Sequence, residues 1–148
     1  MSDWPEMRRE GEDERRKFAE LVKLQAYNSN FISRDQEHKL LEDGVSRFRI
    51  GLDESRGILL SVADSNQIAL EGEIHRTAKH MLTTSAGPKN KISRRDFDQV
   101  VAYYRSRTKG SLSDEEVRKR VKGIADNLDL KPKRSGLLLR TRRWYRSI

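Results

Sequence analysis

Three short segments of the sequence repeat a pattern that is typical of the start of a helix. Each has an apolar residue, then serine, then an acidic or amide residue three positions after the serine: Ile32-Ser33 with Gln36, Ile92-Ser93 with Asp96, and Leu112-Ser113 with Glu116. The serine hydroxyl can accept the backbone N–H three residues later, while the acid or amide accepts that of the serine. We therefore expect capped helices to begin at these three places.

Apolar residues recur at helical spacing after each of these starts and between them. The first helix is expected to run from Pro5 to about Tyr27, because proline suits an initial helical turn. The fold predicted is all-α, a small bundle of about five to six helices with at most one short strand. Candidates for that strand are residues 47–52 and 137–139. The apolar stripes are Leu41, Val45 and Phe48; Ile58, Leu59 and Val62; Leu70, Ile74, Ala78, Met81 and Leu82; Phe97, Val100, Val101 and Tyr104; and Val117, Val121, Ile124, Ala125 and Leu128.

Charge divides the chain unevenly. The chain has 148 residues, with 31 Lys and Arg against 23 Asp and Glu. Residues 131–148 hold seven of the basic residues and none of the acidic ones, so residues 1–130 are close to neutral at about +1. We predict three segments: a charged N-terminal helix in residues 1–30, a helical bundle core in residues 31–130, and a basic C-terminal tail in residues 131–148, with a hinge at residues 131–136.

Composition limits the class of protein. The chain has no cysteine, which rules out disulfides and thiolate metal sites. No apolar stretch approaches the ~18 residues that span a bilayer, and residues 6–17 are almost all charged. A cytoplasmic location is expected.

Residues 85–96 and 105–116 are similar to EF-hand calcium loops at positions eight and twelve. These positions hold Ile92 and Asp96 in one loop and Leu112 and Glu116 in the other. Positions one, three and five, which need oxygen ligands, are Ser85, Gly87 and Lys89, or Arg105, Arg107 and Lys109. Because lysine and arginine repel calcium, helix caps explain the match with fewer assumptions. No metal and no other cofactor is predicted, and a degenerate EF-hand-like second half is an alternative fold.

Two further functional classes find little support. A helix-turn-helix over residues 94–128 would place Asp114, Glu115 and Glu116 at the start of its recognition helix, where they would repel phosphates. For catalysis, His75 and His80 are five residues apart and do not share a helical face. Phosphate-loop, nucleophile-elbow and zinc-protease motifs are missing. We predict a protein that is not an enzyme, has no catalytic residues and has no small-molecule ligand.

The basic tail is the feature that most suggests a function. It combines apolar and aromatic residues with arginines, the residue types enriched at binding hot spots. The predicted partner-binding residues are Leu138, Arg140, Arg142, Arg143, Trp144, Tyr145 and Arg146.

Four hypotheses for the role of this tail are considered. The leading hypothesis is an adaptor or assembly module whose tail docks on an acidic, apolar protein partner. The alternative is sequence-nonspecific nucleic-acid binding, in which arginines meet phosphates and aromatic rings stack on bases. The near-neutral charge of residues 1–130 favours the protein partner. The third hypothesis is that the tail binds an anionic membrane surface. In a fourth, Leu137, Leu138 and Leu139 simply close the core.

Overall fold

The protein is described by a computed structural model that covers residues 5–136 and 141–148. Within these ranges the chain is predominantly helical and forms two compact units, residues 1–71 and 72–148. The predicted all-α class is confirmed. Seven α-helices are present among the described residues, against the five to six expected, and the last of them has four residues.

The first unit consists of three helices and one pair of very short strands. Its elements are α1 (Pro5–Gln25), β1 (Phe31–Ile32), α2 (Arg34–Ser46), α3 (Leu52–Ser65) and β2 (Ala69–Leu70). β1 and β2 are parallel, with Phe31 in register with Ala69. The core of the unit is lined by apolar side chains that include Phe18, Val22, Ile32, Leu40, Leu59 and Leu70.

The second unit follows the same order and adds a short final helix. Its elements are α4 (Glu71–Ala86, whose first residue is counted with unit 1), a 3-10 turn (Gly87–Lys89), β3 (Lys91–Ile92), α5 (Arg94–Arg107), α6 (Asp114–Asn127), β4 (Lys131–Pro132) and α7 (Arg143–Arg146). β3 and β4 are again parallel. Phe97, Tyr104, Val117 and Val121 are fully buried in this unit.

Backbone conformation reveals that the two units repeat one architecture. Non-glycine residues with positive φ occur at equivalent points: Asn30 and Asn90 before the first strand, Arg49 and Lys109 between the two helices, and Gln67 and Asp129 before the second strand. Such residues are uncommon, because the left-handed region crowds a Cβ atom. The matching turns therefore show that the two units share one chain path, a repeat that was not predicted from the sequence.

The predicted helix caps are confirmed. The Ser33 and Ser113 hydroxyls each accept the backbone N–H three residues later, and the side chains of Gln36 and Glu116 accept the serine N–H in return. Ser93 accepts the N–H of Asp96 without that return bond among the bonds described. α1 begins at Pro5 as expected and ends at Gln25.

The prediction of at most one short strand was wrong. Four two-residue strands form two parallel pairs, and residues 47–52 form none of them. Residues 137–139 lie outside the described residues. The strands are too short for an alternating pattern to be visible in the sequence, and each pairs with a partner about forty residues away.

The prediction of a hinge at residues 131–136 was also wrong for the first half of this segment, because the backbone there is hydrogen-bonded to residues 90 and 92. The Lys131 N–H donates to Asn90 O at 2.9 Å, and the Lys133 N–H donates to Ile92 O at 2.8 Å. Ser135 and Thr141 then form an isolated antiparallel bridge. The three-segment division at residues 30 and 130 stays a prediction. None of the helices among the described residues has both the length and the apolar character needed to cross a bilayer.

Candidate functional site

The structure places part of the predicted tail site on α7. Arg142, Arg143, Trp144, Tyr145 and Arg146 all lie in or directly before this helix. Leu138 and Arg140 lie outside the described residues, as do Leu137 and Leu139. The five described residues of the predicted site therefore lie in or directly before one helical turn of the second unit.

Tyr145 is part of the interior of the second unit. Its side chain is only 6% exposed, and its phenol donates a hydrogen bond to the Asp126 carboxylate. Burial and this hydrogen bond raise the pKa of Tyr145 well above its usual range. The Lys122 ammonium lies 5.0 Å from the centre of the ring. Tyr145 thus packs on α6 and is not available to a partner while the unit is folded.

Trp144 connects the tail to the second strand pair. Its indole N–H donates to the Lys133 carbonyl at 2.9 Å. Its ring lies 5.5 Å from that of the buried Phe97 and 5.5 Å from that of Tyr145, both in edge-on geometry. Tyr145 completes the cluster at 5.9 Å from Phe97. These three rings pack against each other as aromatic pairs do in cores.

Arg143 and Arg146 face outward, whereas Arg142 does so only in part. Arg143 and Arg146 are exposed and form no ion pair with other described residues. Arg142 is half-buried, and its Nε has no hydrogen-bond partner in the described part of the chain. The tail therefore contributes charge to the surface of the second unit and aromatic rings to its interior.

Charge is distributed very differently when it is counted by structural unit. Residues 1–71 hold 11 Lys and Arg against 15 Asp and Glu, a net charge of −4. Residues 72–148 hold 20 Lys and Arg against 8 Asp and Glu, a net charge of +12. The near-neutral net charge of residues 1–130 is therefore the sum of an acidic first unit and most of a basic second unit.

Most acidic side chains of the second unit are already paired. Asp114 contacts Arg105 at 2.6 Å and Arg118 at 3.1 Å, and the hydrogen bond from Arg118 lowers the pKa of Asp114. Asp98 contacts Arg118 at 3.2 Å. The hydrogen bond that Glu116 accepts from the Ser113 backbone lowers the pKa of Glu116. The remaining surface charge of this unit is mainly positive.

The two strands of the second unit carry part of that surplus. Lys91 on β3 is in register with Lys131 on β4, and both are exposed. Lys133, two residues further along, is exposed as well. In the first unit the corresponding pair is Phe31, which is buried, and Ala69, which is half-buried. These lysines are far apart in the sequence, and only the strand register brings them together, so the sequence alone does not reveal this site.

Large exposed apolar side chains are confined to the first unit among the described residues. They are Met7, Leu24, Tyr27, Val45, Leu52 and Leu60. Protein interfaces usually rely on buried aromatic and apolar anchors. The exposed surface of the second unit offers charge and few such anchors.

The described residues do not assemble a metal centre. No group of three or more His, Asp or Glu side chains could hold a metal ion in the part of the chain that the structure describes. His38 is exposed and lies 3.3 Å from Glu42, while His80 is exposed on α4. Residues 85–96 span the end of α4, the 3-10 turn, β3 and the start of α5.

Comparison of the chain with protein-family models, with curated proteins and with solved structures finds no match.

Proposed function

We propose that this protein is a non-enzymatic, sequence-nonspecific nucleic-acid-binding protein that contacts phosphates through its second unit. The observation that carries the proposal is the net charge of +12 on residues 72–148, compared with a net charge of −4 on residues 1–71. A basic unit of this kind is the usual electrostatic footprint of nucleic-acid binding.

The kind of side chain exposed supports nucleic acid over an acidic protein. Phosphate contacts need positive charge and hydrogen-bond donors, whereas protein interfaces need apolar anchors. The tail aromatics that the sequence suggested as anchors pack against Phe97. Base stacking by Tyr145 is disfavoured for the same reason, so the mode proposed is contact with the backbone and not with the bases.

An acidic protein partner, the leading hypothesis from the sequence, is the second candidate. The half-exposed Trp144 beside the exposed Arg143 and Arg146 favours it, since tryptophan and arginine are enriched at hot spots. The cytoplasmic location and the lack of enzymatic activity stay predictions.

The test measures binding of fluorescently labelled single-stranded DNA, duplex DNA and RNA to the full chain over a series of salt concentrations. We expect log affinity to fall linearly with log salt and to depend little on base sequence, because bound cations are released from the phosphates. The double variant Arg143→Gln with Arg146→Gln should bind more weakly and show a shallower salt dependence.

The matched control removes the same charge from the first unit. Arg9 and Lys39 are exposed there, and the double variant Arg9→Gln with Lys39→Gln should bind almost as the parent chain does. A folded parent chain that binds none of the three nucleic acids at low salt would rule out the proposal and direct the search to acidic protein partners. Equal losses in both double variants would show that the second unit has no special role.

A further inference from the structure

We infer that Lys91, Lys131 and Lys133, named here the lysine strand pair, form a phosphate-binding surface of the second unit. The inference rests on the proposed function and assigns its principal contact. Neighbouring strands lie about 4.8 Å apart, and residues in register project to the same side of the pair. Lys91 and Lys131 are in register and exposed, so their ammonium groups share one face.

Hydrogen bonding extends this face to a third lysine. After Lys131 N–H bonds to Asn90 O, the next bond of the ladder joins Lys133 N–H to Ile92 O at 2.8 Å. Side chains two residues apart on an extended strand lie on the same side. Lys133 is therefore placed beside Lys131 on the face that Lys91 occupies.

The first unit provides an internal comparison for this position. Its strand pair has the same length and direction but joins Phe31 to Ala69. The shared architecture thus forms with an apolar pair and does not require lysines. Like charges placed directly opposite each other on adjacent strands destabilise a sheet. A phosphate placed between the ammonium groups would remove that repulsion, which gives binding a favourable term.

The lysine strand pair is anchored to the second unit by one buried side chain and one hydrogen bond. Ile92, the second residue of β3, is fully buried, and the Lys133 carbonyl accepts a hydrogen bond from the indole N–H of Trp144 at 2.9 Å. Arg95, in the first turn of α5, is exposed and has no ion-pair partner in the described ranges. Helix starts carry a positive partial charge, so an arginine there adds to the potential for an anion.

Two carboxylates lie near the lysine strand pair in the sequence and contribute to its local charge. Asp96 is in the first turn of α5, and Asp129 precedes β4 by two residues. Neither forms an ion pair with Lys91, Lys131 or Lys133 among the described residues. The three ammonium groups therefore stay available to phosphate.

The test compares the full chain with the double variant Lys91→Gln and Lys131→Gln in the same nucleic-acid titrations. If each lysine contacts one phosphate, the slope of log affinity against log salt should fall in magnitude by about two for duplex DNA. The control is Lys79→Gln with Arg107→Gln, which removes the same charge from exposed positions on α4 and α5 of this unit. Its slope should change by less than half as much.

Thermal unfolding of each variant without nucleic acid separates binding from folding. Loss of like-charge repulsion should leave the melting temperature of the Lys91→Gln and Lys131→Gln variant equal to or above that of the parent, while its binding weakens. The parent chain could bind nucleic acid while the lysine variant and the Lys79→Gln, Arg107→Gln control lose the same amount of salt dependence. That result would overturn the phosphate-binding role of the lysine strand pair and leave the proposed function standing. A parent chain that does not bind at low salt would overturn both.

Discussion

The indole N–H of Trp144 donates to the backbone carbonyl of Lys133 at 2.9 Å, which ties the last helix of the chain to the strand pair of the second unit. Trp144 also packs edge-on against Phe97 and Tyr145. The C-terminal residues therefore help to shape the surface that Lys131 and Lys133 present. They are structural as well as a source of charge.

Replacing Trp144 by Phe should remove this hydrogen bond and keep most of the ring packing. We expect the free energy of unfolding to fall by about 1 kcal/mol, the net value of a typical hydrogen bond. Urea unfolding followed by circular dichroism measures it. Trp144→Ala should lower the free energy of unfolding further, because the ring contacts are lost as well. Equal losses in the two variants would mean that the hydrogen bond accounts for most of the stability that Trp144 contributes.

Deleting residues 137–148 should destabilise the second unit, because Phe97 would lose both aromatic neighbours. The packing predicts a loss of about 3–5 kcal/mol in the free energy of unfolding, similar to removing a large aromatic side chain from a core. Urea unfolding of the full and truncated chains tests it. An unchanged midpoint would show that α7 adds no stability.

Tyr145 should make stability depend on pH in the alkaline range. Its folded pKa is raised above the ordinary value of 10.0 by burial and by the hydrogen bond to Asp126. Its contribution is therefore fully present below pH 10.0 and is lost as pH rises, since the unfolded chain releases the proton first. Urea unfolding at a series of pH values should show a steeper alkaline loss in the parent than in Tyr145→Phe.

The same variant provides a control at neutral pH. Tyr145→Phe keeps the ring against Phe97 but removes the hydroxyl that donates to Asp126. A loss of about 1–2 kcal/mol is expected near neutrality, as for a hydrogen bond to a charged group. Parallel pH profiles of the parent and Tyr145→Phe would contradict the burial of this phenol.

Gly44 on α2 lies close to Ser55 of α3 and Phe18 of α1. A Cβ atom there would stand 2.5 Å from the Ser55 hydroxyl oxygen and 2.9 Å from the Ser55 Cβ, with Phe18 at 3.2 Å. We expect Gly44→Ala to destabilise the first unit by about 1–3 kcal/mol through overpacking.

Gly57, on α3, is the matched control for this substitution. A Cβ atom at Gly57 meets nothing within 4 Å. Gly57→Ala should therefore raise stability by about 0.5–1 kcal/mol, because alanine favours a helix over glycine. The two variants should shift the urea midpoint in opposite directions. A stabilising Gly44→Ala would show that the two helices separate at little cost.

Replacing Ser113 by Ala should remove the cap of α6. The hydroxyl accepts the Glu116 N–H at 3.2 Å, and such caps contribute about 1 kcal/mol. Ser106→Ala on the exposed face of α5, where the hydroxyl bonds only to the carbonyl of its own turn, should change stability little. Comparable losses at Ser113 and Ser106 would mean that the capping hydroxyl has no particular value.

The helices could largely be predicted because the interactions that start them are local. Ser33, Ser93 and Ser113 each bond to a residue three positions later, and the predicted apolar stripes of α5 and α6 are buried. The stripe predicted for α2 was wrong, because Leu40 and Gly44 are its buried residues and Val45 is exposed. The ion pairs of α1 are local only in part. Arg16 pairs with Asp13 and Lys17 with Glu14, each three residues apart, whereas Arg15 reaches Glu54 on α3.

The candidate site could be predicted only in part. Basic composition at the C-terminus was visible in the sequence, but the charge of the second unit emerged only when its boundary was known. The alignment of Lys91 with Lys131 depends on a two-residue strand register between segments forty positions apart. No local pattern encodes that register, because each strand is shorter than the period that would reveal it.

The sequence by itself determined where the three serine-capped helices begin, which faces α5 and α6 bury, and that basic charge gathers toward the C-terminus. Capping and helical periodicity act over three or four residues, so the order of amino acids is enough to specify them. Only the tertiary structure decided that Tyr145 is interior, that Trp144 supports Lys133, and that two lysines stand side by side. These depend on contacts between distant segments, which form when apolar burial in the folded chain brings those segments together.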